Sequence, residues 1–235
     1  MGLICVTSKL YSQRLDEVVA NKVKSIALIS TIIGPTAIQD YSPIAGVFNK
    51  KSKSISSKII DEEKNNIEEF REQVAAGLKR RFSCNVYYGQ SLSTKPEYIE
   101  ITKKYNFPDK LNDLIIPTDE INPFPYGSNT AWYLQKKSKS ITSEICRTLG
   151  TDLIAVSYSS FFLPSQTPGD TKASLCLYSL LFFYNTNGFI AFGEGYSDKI
   201  KMSGDDIEDY KNLLKTMPSI LDPLINEAIK KINKK

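Results

Sequence analysis

Three apolar runs in close succession constrain this chain more than any other feature. Leu149-Gly150-Thr151-Asp152 opens into Leu153 to Leu163, and a polar loop from Pro164 to Lys172 leads to Ala173 to Tyr184. Asn185-Thr186-Asn187-Gly188 then leads to Phe189 to Tyr196. Runs of this length, bounded by turn residues, read as strands. Asn187-Gly188 predicts a tight turn, so the last two runs should form a hairpin. In the second run, Leu175, Leu177, Ser179, Leu181 and Phe183 alternate with Cys176, Tyr178, Leu180, Phe182 and Tyr184. Both faces are largely apolar, which predicts a central strand covered on both sides.

The rest of the chain supplies that cover. Lys24 to Ile33 is an Ile-rich strand, expected to stop at the breaker pair Gly34-Pro35. A helix is expected from about Ser56 to Phe82, with Ile60, Ile67, Phe70, Val74 and Leu78 in one stripe. Asp61 to Glu63 sit at its start and Lys79 to Arg81 at its end, the charge order that complements a helix dipole. Ala75, Ala76 and Gly77 would let this helix approach a sheet closely. Cys84 to Tyr88 is a short strand. Glu97 to Tyr105 and Lys110 to Ile116 suggest short helices. A further helix runs from about Asn129 to Leu149, with Gly150 as its C-cap. The C-terminal segment begins at Asp205-Asp206 and is helical, with Pro218 and Pro223 each able to open a new helical piece. The order predicts a mixed α/β fold: a central mixed sheet of about five strands, a C-terminal antiparallel meander and three main packing helices. One domain, 14–235, carries insertions at 36–54 and 90–129.

Composition removes several function classes. The chain has no His, which excludes Ser-His-Asp or Cys-His catalysis and imidazole metal sites. It has no phosphate loop, no G-x-G-x-x-G and no S-x-x-K pair. A net charge of +4, with 30 basic and 26 acidic residues interleaved, does not point to nucleic acid. No run approaches the roughly 20 apolar residues of a membrane span. Met1 to Gln13 resembles the back half of a secretory signal peptide, which points to a periplasmic or secreted protein, with outer-membrane association as the alternative. Ile4 before Cys5 disfavours lipidation. Cys84, Cys146 and Cys176 read as buried thiols, with a Cys84–Cys176 disulfide left open. No metal, cofactor or catalytic residue is assigned.

Candidate residues are therefore binding residues. The long loop Thr36 to Ser54 carries Tyr41, Pro43, Lys50, Lys51 and Lys53, and the Pro-rich stretch around Asn122 to Gly127 carries Phe124 and Tyr126, with Tyr133 beyond it. Exposed aromatics on proline-stiffened loops suit partner recognition. The hexapeptide Lys-Lys-Ser-Lys-Ser-Ile occurs at Lys50 to Ile55 and again at Lys136 to Ile141. With Lys230, Lys231, Lys234 and Lys235 it offers a peripheral contact to anionic surfaces, and both copies together would serve the further alternative of an anionic-surface or nucleic-acid binder. Of the acids, Asp61 to Glu63 and Asp205-Asp206 read as helix starts. Glu194, between Gly193 and Gly195, and Asp119 are the acids that a carboxylate-dependent hydrolase or transferase would use.

Several segments together carry a family texture: SIALIST, EQVAAGLKRRF, CNVYYG, ITSEICRTLGTDLIAVSYSSF and LCLYSLLFFYNTNGFIAFGEG. They resemble the periplasmic α/β domain shared by curli-secretion lipoproteins, penicillin-binding-protein activator lipoproteins and the amino-terminal domain of TolB. In that group Leu-Gly-x-Asp leads from a helix into a strand, matched by Leu149, Gly150 and Asp152, and the hairpin turn matches Asn187-Gly188. The resemblance spans about Ser25 to Tyr196. It implies a non-enzymatic envelope protein that works by binding others; an envelope protein partner is expected, with no nucleic acid and no cofactor.

Overall fold

A computed structural model describes residues 22–39, 68–104, 139–164 and 173–232. In chain order these form β1 (Ser25–Gln39), α1 (68–82), β2 (Asn85–Tyr87), α2 (Gln90–Ser93), α3 (Pro96–Lys104) and α4 (Lys139–Leu149). Then come β3 (Leu153–Leu163), β4 (Ser174–Asn185), β5 (Gly188–Tyr196), β6 (Ile200–Lys201), α5 (Asp206–Leu214) and α6 (Met217–Ile232). The sheet order is β2-β1-β3-β4-β5, with β6 pairing β4 beyond β5. β1 runs parallel to both β2 and β3, while β3, β4 and β5 form an antiparallel meander. The mixed sheet, its meander and the central position of β4 are as the apolar runs predict.

The sheet separates two cores. Ile26 and Leu28 of β1 join Phe70, Val74, Leu78 and Phe82 of α1 and the apolar side of α6 on one face. Ala27 and Ile29 join Leu92, Tyr98 and Ile101 of α2 and α3, and Ile145, Cys146 and Leu149 of α4, on the other. Strand alternation at β1 thus feeds two helical layers. Gln90 to Lys104, expected to open an insertion, packs into this second core.

Several boundaries moved. β1 continues through Gly34-Pro35 to pair Gln39 with Leu163, because a register shift between Gly34 and Ile38 takes up the proline. The hairpin turns on Thr186 and Asn187, one residue earlier than expected. Asn185 pairs with Gly188, the Asn185 Oδ1 accepts the Asn187 N–H at 2.8 Å, and Gly188 takes φ 98°. This side-chain turn outcompetes the Asn-Gly signal. A bulge at Ile190 follows it. Pro218 stands in the first turn of α6 as expected, but Pro223 lies inside the helix. Pro223 is solvent-exposed, so water can satisfy the carbonyl left without a donor. Gly77 approaches α6 rather than the sheet. A Cβ there would lie 3.4 Å from Ile225 Cδ1. Ala75 is buried and Ala76 exposed. Arg80–Asp222 at 2.6 Å, with Arg81 donating to Asn226, flanks this helix pair.

The Leu149-Gly150-Thr151-Asp152 segment joins α4 to the sheet. Gly150 takes φ 62°, its N–H donates to Arg147 O, and Thr151 N–H donates to Cys146 O, which is a Schellman C-cap. Asp152 Oδ2 then accepts the N–H groups of Lys24 and Ser25 at 2.8 and 3.1 Å. The carboxylate thereby ties the start of β1 to the start of β3.

Candidate functional site

The most site-like concavity among the described residues lies where β2 ends. It encloses about 700 Å³ and is lined by Glu68, Arg71 and Glu72 of α1, Val86 of β2, Tyr88 and Gly89 just after it, Gln90, Ser91 and Ser93 of α2, and Tyr98 of α3. The loop that forms its floor is cross-linked by its own hydrogen bonds. Ser91 Oγ accepts the Tyr88 N–H and donates to Tyr88 O, both at 2.8 Å, while Gly89 O accepts the N–H groups of Leu92 and Ser93. Gly89 adopts φ 49° and ψ −128°, a region open mainly to glycine. A Cβ there would sit 3.5 Å from Arg71 Nη1. The Arg71 side chain is 4% exposed and pairs with Glu68, whose own side chain is 66% exposed.

This cleft stands at the C-terminal end of a strand in a parallel pair, the end where open α/β sheets place ligands. β1 runs on past this end, since Ala27 pairs with Tyr87 and the strand continues to Gln39. Its lining combines one guanidinium, two carboxylates, two tyrosines and several neutral hydrogen-bonding groups. Such a set can hold polar main chain or mixed polar and aromatic side chains. Arg71 and Glu72 sit on α1, where the sequence marks them only as part of a helix. Their role in a wall follows from α1 crossing above the end of β2, which no local pattern encodes.

Glu194, the acid singled out from the sequence, occupies the last strand of the sheet. Tyr178 OH donates to its Oε2 at 3.0 Å. Burial, and then that carboxylate, push the Tyr178 phenol far above its ordinary value. The flanking glycines have a packing reason. Gly193 lies against the main chain of α6, where a Cβ would meet Leu224 O at 1.9 Å. Around Glu194 the same face carries an aromatic row: Phe162–Tyr196 at 5.0 Å, Tyr178–Tyr196 at 4.9 Å and Phe182–Phe192 at 5.8 Å between ring centres. Tyr196 is 57% exposed.

Cys84, Cys146 and Cys176 are buried and free, so the Cys84–Cys176 disulfide does not form. Burial raises all three thiols, Cys84 and Cys176 to about 11. They are protonated at neutral pH and poor nucleophiles. Asp205 caps α5, its Oδ1 accepting the N–H groups of Ile207 and Glu208, as its place before an apolar helix predicts. Lys231 is bound within the fold, at 2.7 Å from Glu227 and 4.0 Å from the centre of the Phe192 ring. Tyr41, Pro43, Lys50, Lys51, Lys53, Phe124, Tyr126 and Tyr133 lie outside the described residues, as do Asp119 and the first Lys-Lys-Ser-Lys-Ser-Ile copy. Of the second copy, Lys139 to Ile141 are described and are helical.

No helix among the described residues is long and apolar enough to cross a membrane. No protein-family model matches the chain, and no curated protein matches it. Among solved structures, the chain is similar to a hypothetical protein from Chlamydia trachomatis at 10% identity, covering 89% of this chain and 93% of that one with a TM-score of 0.34.

Proposed function

We propose that the protein is a non-enzymatic binding and assembly accessory of the bacterial cell envelope. It takes a segment of an envelope protein partner into the cleft beside β2. The carrying observation is the cleft itself, with an internally hydrogen-bonded, glycine-shaped floor and a lining of Arg71, Glu72, Tyr88, Gln90 and Ser91. Fixed donors and acceptors beside aromatic rings suit peptide recognition more than bond-making. The likeness of Leu149-Gly150-x-Asp152 and the hairpin to the periplasmic α/β domain of curli-secretion and penicillin-binding-protein activator lipoproteins supports the compartment. The segment that carries Tyr41, Pro43, Lys50, Lys51 and Lys53 precedes Glu68 of the cleft in the chain, and these residues would extend the contact. A carboxylate-dependent hydrolase or transferase is the rival, because Glu68 and Glu72 line the same cleft.

Site-specific photocrosslinking in cells tests this reading. A photoreactive residue at Ser91 should give one adduct of defined mass in the envelope fraction. The same residue at exposed Lys215 should not, and deletion of Thr36 to Ser54 should weaken the Ser91 adduct. Equal adducts at both positions, or a chain confined to the cytosolic fraction with an unprocessed Met1 terminus, would refute it.

A further inference from the structure

Basic and acidic residues alternate along the chain, but the fold gathers cations at one end of the sheet. β1, β2 and β3 all start there, with Ser25 paired to Asn85 and Ile26 to Leu153. Helix α1 finishes there at Phe82, just before β2, and α4 finishes there at Leu149, just before β3. β5 also starts at this end, since it is antiparallel to β4, which is antiparallel to β3. Helix α6 runs against β5, with Ile220 beside Gly195 and Leu224 beside Gly193, so its C-terminus points the same way. Three helix C-termini therefore converge on the end away from the cleft.

Lys22 and Lys24 precede or open β1, Lys79 and Arg81 lie in the last turn of α1, and Arg147 lies in the last turn of α4. All five are exposed, and none makes an ion pair among the described residues. Lys24 and Lys79 share an open hollow of about 550 Å³ with Ser83, Cys84 and Asn85. Arg147 reaches the β4–β5 turn, where Nη2 donates to Thr186 O at 3.5 Å. The nearby carboxylates are engaged elsewhere: Asp152 accepts the main-chain N–H groups of Lys24 and Ser25, and Asp222 pairs with Arg80. Cations at helix C-termini do match the helix dipole. Three such ends together present roughly one and a half negative charges, well short of the cations here.

We propose that this end is a docking face for an anionic lipid bilayer, held by Lys22, Lys24, Lys79, Arg81 and Arg147. The cations come from both helical layers and from the sheet between them, so they spread over a blunt face rather than along a groove. Main-chain N–H groups that grip single phosphates are supplied by helix N-termini, and α1, α4 and α6 present C-termini here. The N–H groups of Lys24, Ser25 and Asn85 are already taken, by Asp152 and by Lys24 O. The hollow carries no aromatic ring on which a base could stack. What is left is long, solvated cationic side chains, which suit the diffuse negative potential of headgroups better than the fixed phosphates of a nucleic acid. On α1 the cleft residues Glu68 and Arg71 and the face residues Lys79 and Arg81 are separated by about 10–20 Å of helix. A chain seated on this face therefore holds its cleft away from the bilayer.

Co-sedimentation of the full chain with vesicles tests the face. The chain should bind vesicles of phosphatidylglycerol and phosphatidylcholine in equal parts, should not bind pure phosphatidylcholine, and should be released as salt rises. Lys22→Gln, Lys79→Gln and Arg147→Gln together should weaken binding by at least about tenfold, since each cation near an anionic surface contributes several-fold. Lys199→Gln, Lys201→Gln and Lys215→Gln together remove the same charge from exposed positions away from this face and should bind as wild type. No binding to the phosphatidylglycerol vesicles would overturn the proposal. So would equal losses in the two triple variants, which would make net charge the cause and not the face. Tighter binding to a duplex DNA than to the vesicles at the same salt would assign the face to nucleic acid and overturn it as well. None of these outcomes bears on the Ser91 adduct, which reports the cleft alone.

Discussion

Replacing Gly193 with Ala should destabilise the protein far more than replacing Gly195, two residues along the same strand and on the same face. At Gly193 the new methyl would lie 1.9 Å from Leu224 O and 2.8 Å from Leu224 C. Carbon and oxygen in contact need a little over ~3 Å, so one of them must retreat by more than about 1 Å. Leu224 O belongs to the main chain of α6 and cannot rotate away. The helix must lift, and it buries Met217, Ile220, Leu221, Leu224, Ile225, Ala228 and Ile229. Overpacking that moves backbone costs at the upper end of about 1–3 kcal/mol, and the packing loosened along α6 keeps it there. We expect about 3 kcal/mol, a loss of roughly 6–12 °C in Tm for a domain of this size. At Gly195 the new methyl meets only the Ile220 side chain, Cγ1 at 3.4 Å and Cδ1 at 3.8 Å, the edge of normal contact with a group that can shift. Alanine also gains roughly 0.5–1 kcal/mol over glycine inside a strand, so Gly195→Ala should lie within about 0.5 kcal/mol of wild type. Urea denaturation of the two variants, with equal m-values required for the comparison, measures the difference. A Gly193→Ala variant no less stable than Gly195→Ala would refute the close approach of α6 to β5.

Further outcomes follow from the same contacts. Asp152→Ala should cost about 1–2 kcal/mol by urea denaturation, because two N–H groups at the start of β1 lose their acceptor. Gly150→Ala meets no clash but is held at φ 62°, so it should cost about 1 kcal/mol through the backbone alone. In a Cys5→Ser background, a thiol reagent at pH 8 should leave Cys84, Cys146 and Cys176 unlabelled until denaturant is added, since all three are buried and hold their protons. Burial alone would raise the Glu227 carboxyl, but the Lys231 and Glu194 hydrogen bonds and the nearby lysines outweigh it and lower it below 4.5. A lowered carboxyl stabilises the fold above its unfolded value and loses that contribution as pH falls through the folded one. Stability of wild type relative to Glu227→Gln should therefore shrink as pH drops below about 4.5, and a constant difference across that range would refute the contact.

Local chemistry made much of this protein legible in one dimension. The β3 bounds, the apolarity of both β4 faces, the Phe70–Val74–Leu78 stripe, the Asp205 cap and the Gly150 C-cap each depend on residues within a turn or a strand of one another. Periodicity and capping report such things directly. The turn at Thr186-Asn187 and the continuation of β1 through Pro35 were misplaced, because each depended on a competing partner: the Asn185 side chain in one case, the β3 register in the other. The site was hardly legible at all. Its walls come from α1, the end of β2, and α2 with α3, and none of them carries a motif. Gly193-Glu194-Gly195 shows the division well. From the sequence, an acid between two glycines reads as a site. In the fold, Gly193 leaves room for the main chain of α6 and Gly195 for Ile220, while Glu194 marks an edge donor that α6 covers. By itself the sequence determined which segments pair and which faces must be buried, since apolar area and backbone propensity act over a few residues. Only the tertiary structure decided which helix crosses which strand, and therefore where a cleft opens and which face of the sheet each helix covers. Those outcomes rest on contacts between residues far apart in the chain, whose side chains carry no local mark of their partners.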